Sequence, residues 1–186
     1  MARSQCFETG QWVPFPVELV FAFFANPANL PYRMPGALKV RIDDLRVTPP
    51  KARPVADDRA RRFQSMAAGA GSEIAISFRP VAGVPFRICW RVRIVEFAWF
   101  HHFVEEQVRG PFALFRHRHG IEAETRDGAE GTRVSDRVEF ALPGGWSGAL
   151  AAGVVRQVLE RQFAHCQQRL PEMLAAAARQ AAGRRR

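Results

Sequence analysis

The chain has 186 residues, 47% hydrophobic and 24% charged, which is typical of one globular domain and argues against general disorder. Its three cysteines lie far apart, so we expect no disulfides. No stretch resembles a secretory signal, and none reaches the about 20 apolar residues of a membrane span. We therefore expect a cytoplasmic protein. The formal charge is +9, but the basic residues are almost all arginines scattered along the chain, so no specific nucleic-acid surface is predicted.

The first half of the chain predicts two short helices followed by strands. Residues 15–24 form an apolar run whose early proline suits a first helical turn, and Pro27 opens a second short turn that Pro31 and Pro35 close. Alternation of apolar and polar residues then predicts strands over 38–47, 72–78 and 85–96. Between the first two, the segment near 49–70 is rich in proline and charge, which predicts a mobile loop.

The second half predicts a hairpin, a last strand and a long helix. Strands at 102–109 and 112–123 flank Gly110-Pro111, and a strand at 131–142 ends at Pro143-Gly144-Gly145. An amphipathic helix follows, from about Trp146 past Cys166, and Pro171 is expected to kink or restart it. Its predicted apolar stripe is Leu150, Val154, Val158, Phe163, Cys166 and Leu170. Residues 1–180 then form one domain, with a basic tail at 181–186.

The order of these elements predicts an α+β fold. A one-sided antiparallel sheet must cover its apolar face, and the C-terminal helix is the only large element available for this. We therefore expect a curved antiparallel sheet of six to seven strands wrapped around a long C-terminal helix, with two short helices after the first strand. The space between sheet and helix is the expected place for a ligand.

Several segments resemble a known superfamily. Residues 12–30 (WVPFPVELVFAFFANPANL) are similar to the opening of the SRPBCC ligand-binding superfamily, also called START-like or helix-grip. Residues 103–112, the run His117-Arg118-His119 and Asp136 resemble a bacterial, cyclase/dehydrase-like branch of it. The resemblance covers nearly the whole chain except residues 49–70 and the last residues. It implies a helix-grip domain, but no single activity, because the superfamily includes polyketide cyclases, lipid and quinone carriers, receptors and ring-hydroxylase domains.

Strand parity places five polar side chains on the apolar face of the sheet. His117 and His119 lie two and four positions after Phe115, so all three share one face. The hairpin adds Phe103, Glu105 and Gln107, which lie at alternate positions of one strand. The last strand adds Asp136, which lies among inward-facing apolar residues. The polar set is Glu105, Gln107, His117, His119 and Asp136. A register with Glu105 opposite His117 and Asp136 opposite His119 would pair the four ionisable groups, which burial requires.

Four interpretations of this polar set stay open: a structural network, a polar anchor for a ligand, acid–base catalysis by a His–carboxylate pair, and a metal site. We expect the cavity to bind a hydrophobic small molecule of the lipid, isoprenoid or aromatic polyketide type, without a cofactor or metal. The expected binding residues are Trp90, Phe103, Glu105, Gln107, Phe115, His117, His119, Asp136 and Trp146.

Two alternative functions use the same fold. One is a polyketide cyclase or dehydratase type of enzyme, whose catalytic residues would be His117, His119, Asp136 and Glu105. The other is a regulatory or protein-interaction module without a ligand, in which side chains should fill the cavity. The sequence leaves the oligomeric state and the protein partners open.

Overall fold

The computed structural model describes residues 4–56, 58, 61–63, 65–80, 85–144 and 146–183, and for residues 146–150 the backbone alone. The chain is α+β, as predicted, with seven strands and three α-helices in the described part. In chain order these are β1 (Gln5–Val13), α1 (Val17–Ala25), α2 (Leu30–Arg33), β2 (Arg41–Arg46), β3 (Glu73–Phe78), β4 (Ile88–Ala98), β5 (His102–Arg109), β6 (Leu114–Arg126), β7 (Ala129–Ala141) and α3 (Trp146–Gly183).

The seven strands form one antiparallel sheet in the order β1-β7-β6-β5-β4-β3-β2. The register between β4 and β5 shifts twice, between Arg91 and Val92 and between Ile94 and Glu96. Such bulges bend a strand and increase its twist. They allow the sheet to curve around the helix that covers it.

The inner face of the sheet carries the residues that the alternation predicts. Ile74, Ile76, Phe103, Phe115, Val138 and Phe140 are buried, and Phe78 and Trp90 are half-buried. The Trp90 and Phe115 rings meet edge to face with centroids 4.6 Å apart. The parity assignment, on which the predicted site depends, is therefore confirmed.

Helix α3 covers this face with a stripe that matches the predicted one only in part, since Phe163 and Leu170 pack inward as predicted. Val154 and Val158 are 65% and 46% exposed, while Leu159 packs against the sheet. The stripe that packs inward is Ala152, Leu159, Phe163, Leu170 and Leu174. Consecutive helical residues are about 100° apart, so Val158 points well away from the direction of Leu159. Apolar character alone does not distinguish these adjacent stripes.

Helix α3 also extends further than predicted. It passes through Pro171 without a restart and ends at Gly183, so residues 181–183 of the predicted basic tail are helical. The stretch after Pro171 is rich in alanine, which has the highest helix propensity. Residues 184–186 of the predicted tail lie outside the described residues. No helix in the described part is both long and apolar enough to cross a bilayer.

The segment near 49–70 contacts the rest of the protein at several described points. Trp99 Nε1 donates a hydrogen bond of 2.8 Å to the Lys51 carbonyl, and the Arg53 guanidinium lies 4.6 Å from the Trp99 ring centroid. Further along, the Ala68 amide donates to the Ala25 carbonyl at 3.0 Å. Residues 57, 59–60 and 64 lie outside the described residues. The mobility of this segment stays a prediction.

Candidate functional site

A cavity of about 110 Å³ lies between the inner face of the sheet and the helices α1, α2 and α3. Most of its wall is apolar. The sheet contributes residues such as Ile76, Val92 and Val134, and α3 contributes Leu159, Phe163 and Leu170. The curvature of the sheet and the position of α3 thus produce the space that the order of elements predicts.

Three polar side chains form a buried cluster on the strand side of this cavity. His117 and His119 occupy alternate positions of β6, and Asp136 lies opposite His119 on β7. These three residues are 7%, 1% and 7% exposed. His117 Nε2 is 2.9 Å from Asp136 Oδ1. Because an ionised carboxylate only accepts, His117 donates from Nε2, which leaves its Nδ1 as an acceptor.

His119 approaches the same carboxylate oxygen differently. Its Nδ1 atom is 2.7 Å from Asp136 Oδ1, but the ring is not aligned for a hydrogen bond and this nitrogen has no other partner. The contact between His119 and Asp136 is therefore electrostatic. The ring is also held between aromatic neighbours, with centroids 4.4 Å from Phe103 and 5.9 Å from Phe24.

Burial and pairing shift the pKa values within the cluster in a consistent way. Desolvation, reinforced by His117, lowers the pKa of His119 to about 4, against the opposing effect of Asp136. Desolvation alone would raise the pKa of Asp136, but the interactions with His117 and His119 outweigh it and hold this pKa well below its usual range. At neutral pH the cluster therefore contains an ionised Asp136 and a neutral His119.

Glu105 completes the polar wall and raises the question of a metal. It lies opposite His117 on β5, as predicted, and one ligand atom from each of Glu105, His117 and His119 lies within 4.8 Å of the others. The two imidazole centroids, however, are only 3.8 Å apart. Two imidazoles on one tetrahedral zinc, with Zn–N of about 2.0–2.1 Å, keep their centroids roughly 5 Å apart. The arrangement fits a hydrogen-bonded network better than a metal centre.

The other predicted binding residues divide into two groups. Trp90 and Phe115 line the cavity, together with the polar cluster. Phe103 does not, because it lies beneath the His119 ring and packs against the core residue Phe21. The Trp146 side chain lies outside the described residues.

Gln107 requires a correction, because its side chain is not part of the polar cluster. Its Nε2 atom donates to the Phe112 carbonyl at 2.7 Å, and its Oε1 accepts from the Phe112 amide at 3.3 Å. Gln107 is still paired with Val92 of β4, so it keeps the side of the sheet that parity predicts, but the end of the hairpin takes up its amide. The Gln107 side chain instead fastens the loop between β5 and β6. This loop lies so close to it that a Cβ added at Gly110 would be 2.4 Å from Gln107 Oε1.

Arg33 and Cys166 line the cavity but were not predicted from the sequence. The Arg33 guanidinium lies 4.4 Å from the Phe24 ring centroid, and its buried Nε atom has no hydrogen-bond partner. Burial raises the pKa of the Cys166 thiol, which Arg33 partly opposes. One signal was available for Arg33, because it is the only charged residue between Glu18 and Lys39.

The fold is shared with solved structures of low sequence identity. The protein TTHA0849 from Thermus thermophilus is 13% identical, with a TM-score of 0.59, and the match covers 93% of this chain and 99% of that one. An aromatase/cyclase from Streptomyces sp. R1128 is 16% identical, with a TM-score of 0.56 and 99% and 97% of the two chains covered. The chain has the helix-grip fold that these structures share.

A third helix-grip structure carries small molecules. Norcoclaurine synthase from Thalictrum flavum, solved with dopamine and hydroxybenzaldehyde, is 11% identical, with a TM-score of 0.57 and 94% and 88% of the two chains covered. No protein-family model matches the sequence of the present chain, and neither does any curated protein. At these identities the similarity establishes the helix-grip fold alone.

Proposed function

We propose that this helix-grip domain binds a hydrophobic small molecule in the cavity between the sheet and α3. The observation that carries the proposal is the cavity itself, which has a mostly apolar wall and a buried polar cluster on one side. Apolar walls supply affinity through burial, whereas a few fixed polar groups orient the ligand. An interaction module without a ligand would have no need to keep this space open.

The volume of the cavity limits the size of the ligand. An engineered protein cavity of about 150 Å³ binds benzene. The present 110 Å³ thus suits one aromatic ring or a short chain. A long lipid, an isoprenoid or a polyketide of several rings would require α3 to move away from the sheet. Norcoclaurine synthase, with the same fold, holds dopamine and hydroxybenzaldehyde, which are also single-ring molecules.

We also propose a cytoplasmic location, as the sequence predicts. The three cysteines are free thiols, and Cys6 and Cys89 are exposed to solvent. Such thiols are typical of a reducing compartment.

Native mass spectrometry of the freshly purified protein, followed by a screen of single-ring compounds, tests the binding proposal. Two variants of neighbouring residues provide a matched pair. Leu159→Trp places an indole in the cavity, whereas Val158→Trp places the same side chain on the exposed side of α3. We expect Leu159→Trp to abolish binding and Val158→Trp to retain it. Equal binding by both folded variants, or none by the wild type, would contradict the proposal.

A second candidate function is acid–base catalysis in the same cavity. The observation that favours it is the Asp136 carboxylate, which fixes the proton of His117 on Nε2 and leaves Nδ1 as a base towards a substrate. Norcoclaurine synthase and the aromatase/cyclase show that the fold supports enzymes. Conversion of a bound compound by the wild type but not by His117→Gln, with binding retained in both, would identify the protein as an enzyme.

A further inference from the structure

Arg33 has no acidic partner among the residues that the structure describes, although it lies on the wall of an apolar cavity. It is half-buried, its Nε atom is fully buried without a hydrogen bond, and its guanidinium lies on the Phe24 ring. Arginines on the outer face of the sheet are paired even though water surrounds them. Arg93, for example, contacts Glu73 at 2.6 Å. This half-buried cation, in contrast, has no carboxylate partner in the described part of the chain, at a position where water is partly excluded.

The two carboxylates of the cavity wall do not neutralise Arg33. The Asp136 Oδ1 atom is engaged by His117 and His119. Glu105 has its carboxylate near the same imidazoles and makes no ion pair with Arg33. The guanidinium therefore keeps its capacity to bind an anion that enters the cavity.

The contacts between rings locate Arg33 relative to the aromatic side chains of the cavity. Successive ring pairs lie with centroids 3.8–6.3 Å apart. They follow the order Phe24, His119, His117, Phe115 and Trp90. Because Arg33 lies on Phe24, its guanidinium is at one end of this row and the aromatic side chains of β4 and β6 are at the other.

We propose that the ligand is a small carboxylic acid, whose carboxylate binds Arg33 and whose apolar body, an aromatic ring or a short chain, lies along the row of rings towards Trp90. This inference rests on the proposed binding function. A guanidinium matches a carboxylate with two parallel hydrogen bonds. A phosphate would bring a second negative charge close to Glu105 and Asp136. A hydroxyl or amine in the middle of the ligand could donate to Glu105, which lies opposite His117.

Matched pairs of acids and amides test the charge requirement. Phenylacetate with phenylacetamide, and 3-phenylpropionate with 3-phenylpropionamide, differ little in shape but differ in charge at pH 7. We expect the wild type to bind each acid about tenfold more tightly than its amide in calorimetric titrations, because charge-assisted hydrogen bonds are the stronger ones. Arg33→Gln should lose this preference through weaker binding of the acid, with the amide unaffected.

Arg79→Gln is the matched control. Arg79 also has a buried Nε atom without a partner, but it does not line the cavity, so this variant should bind like the wild type. Equal affinity of the wild type for acid and amide would overturn the inference and leave the proposed function intact. Absence of binding by all four compounds would overturn the inference, and it would contradict the proposed function too if the wild type also bound nothing in the screen of single-ring compounds. The comparison in the wild type needs no variant and holds even if Arg33→Gln does not fold.

Discussion

Asp136 is the side chain that holds the buried cluster together. It is the only carboxylate in contact with both histidines in the described part of the chain, and one oxygen atom, Oδ1, serves both. Removing it would leave the Nε2 proton of His117 without its acceptor and His119 without the adjacent negative charge. The cluster therefore depends on this carboxylate more than on either imidazole alone.

The low pKa of His119 predicts how stability depends on pH. The folded state binds a proton at His119 only below about pH 4, whereas the unfolded chain does so below about 6.5. The unfolded state thus binds more protons in this interval, and the free energy of unfolding falls as pH drops from about 6.5 to 4. The fall is on the order of 3 kcal/mol. Urea titrations at several pH values should show it, and His119→Leu should flatten it.

Asp136 causes a second decrease in the free energy of unfolding at still lower pH. Its folded pKa is depressed below 3.8, so the stability it contributes is present above that pH and lost as pH falls further. A wild type whose free energy of unfolding is constant between pH 7 and 4 would show that His119 does not titrate abnormally.

Replacement of the cluster by leucines tests whether it is structural only. Asp136→Leu alone leaves the buried Nε2 donor of His117 without an acceptor and should cost about 1–3 kcal/mol. The triple variant His117→Leu, His119→Leu, Asp136→Leu removes all the polar atoms and should recover most of that loss. Denaturant unfolding measures both. A stable triple variant that no longer binds ligand identifies the cluster as a ligand anchor, and an Asp136→Leu protein as stable as the wild type would contradict the network.

At the level of elements, the strands could be predicted because alternation reports burial directly. Residues 72–78 alternate clearly and β3 is Glu73–Phe78. The register of Glu105 with His117 and of Asp136 with His119 is also as predicted, since each pair lies in a hairpin whose two strands are joined by a short loop. Gln107 is paired with Val92 as parity requires, but its amide hydrogen-bonds to the Phe112 backbone, and strand periodicity does not report such a contact.

The helical part of the site could not be predicted in the same way. On α3 the valines and leucines form two adjacent apolar stripes, and only packing against the sheet selects the one that contains Leu159. Arg33 belongs to a four-residue helix whose position depends on contacts with distant residues. Its role therefore requires the three-dimensional structure, in which Phe24 and Cys166 are its neighbours.

Alanine substitutions on the two sides of α3 should differ sharply. Leu170 is 1% exposed and belongs to the core shared with α1, so Leu170→Ala should cost about 2–5 kcal/mol. Val158 is 46% exposed, and Val158→Ala should change stability by no more than about 0.5 kcal/mol. Thermal and urea unfolding report both values. Similar costs at the two positions would mean that α3 lies on the sheet in another rotation.

For the molecule as a whole, the excess of arginine is distributed among carboxylates. On the outer face of the sheet, Arg91 lies 3.3 Å from both Asp44 and Glu73, and Arg137 lies 3.0 Å from both Glu8 and Glu139. Each such exposed pair contributes at most about 1 kcal/mol to stability. The alternation of positive and negative side chains matters more for the surface charge, because it interrupts any continuous basic surface over these strands.

This distribution predicts weak and unspecific binding to nucleic acid despite the charge of +9. Residues 4–183, where the structure describes them, show neither a continuous basic surface nor a base-reading element, so we expect attraction to DNA to come from release of counterions and to fall steeply with salt. We expect a Kd no tighter than about 10⁻⁴–10⁻⁶ M for duplex DNA at physiological salt. Fluorescence anisotropy with two unrelated duplexes at 50 and 200 mM salt measures this, and both should bind equally and lose affinity together. Submicromolar binding at 200 mM salt that distinguishes the two duplexes would instead show that the arginines form a recognition surface.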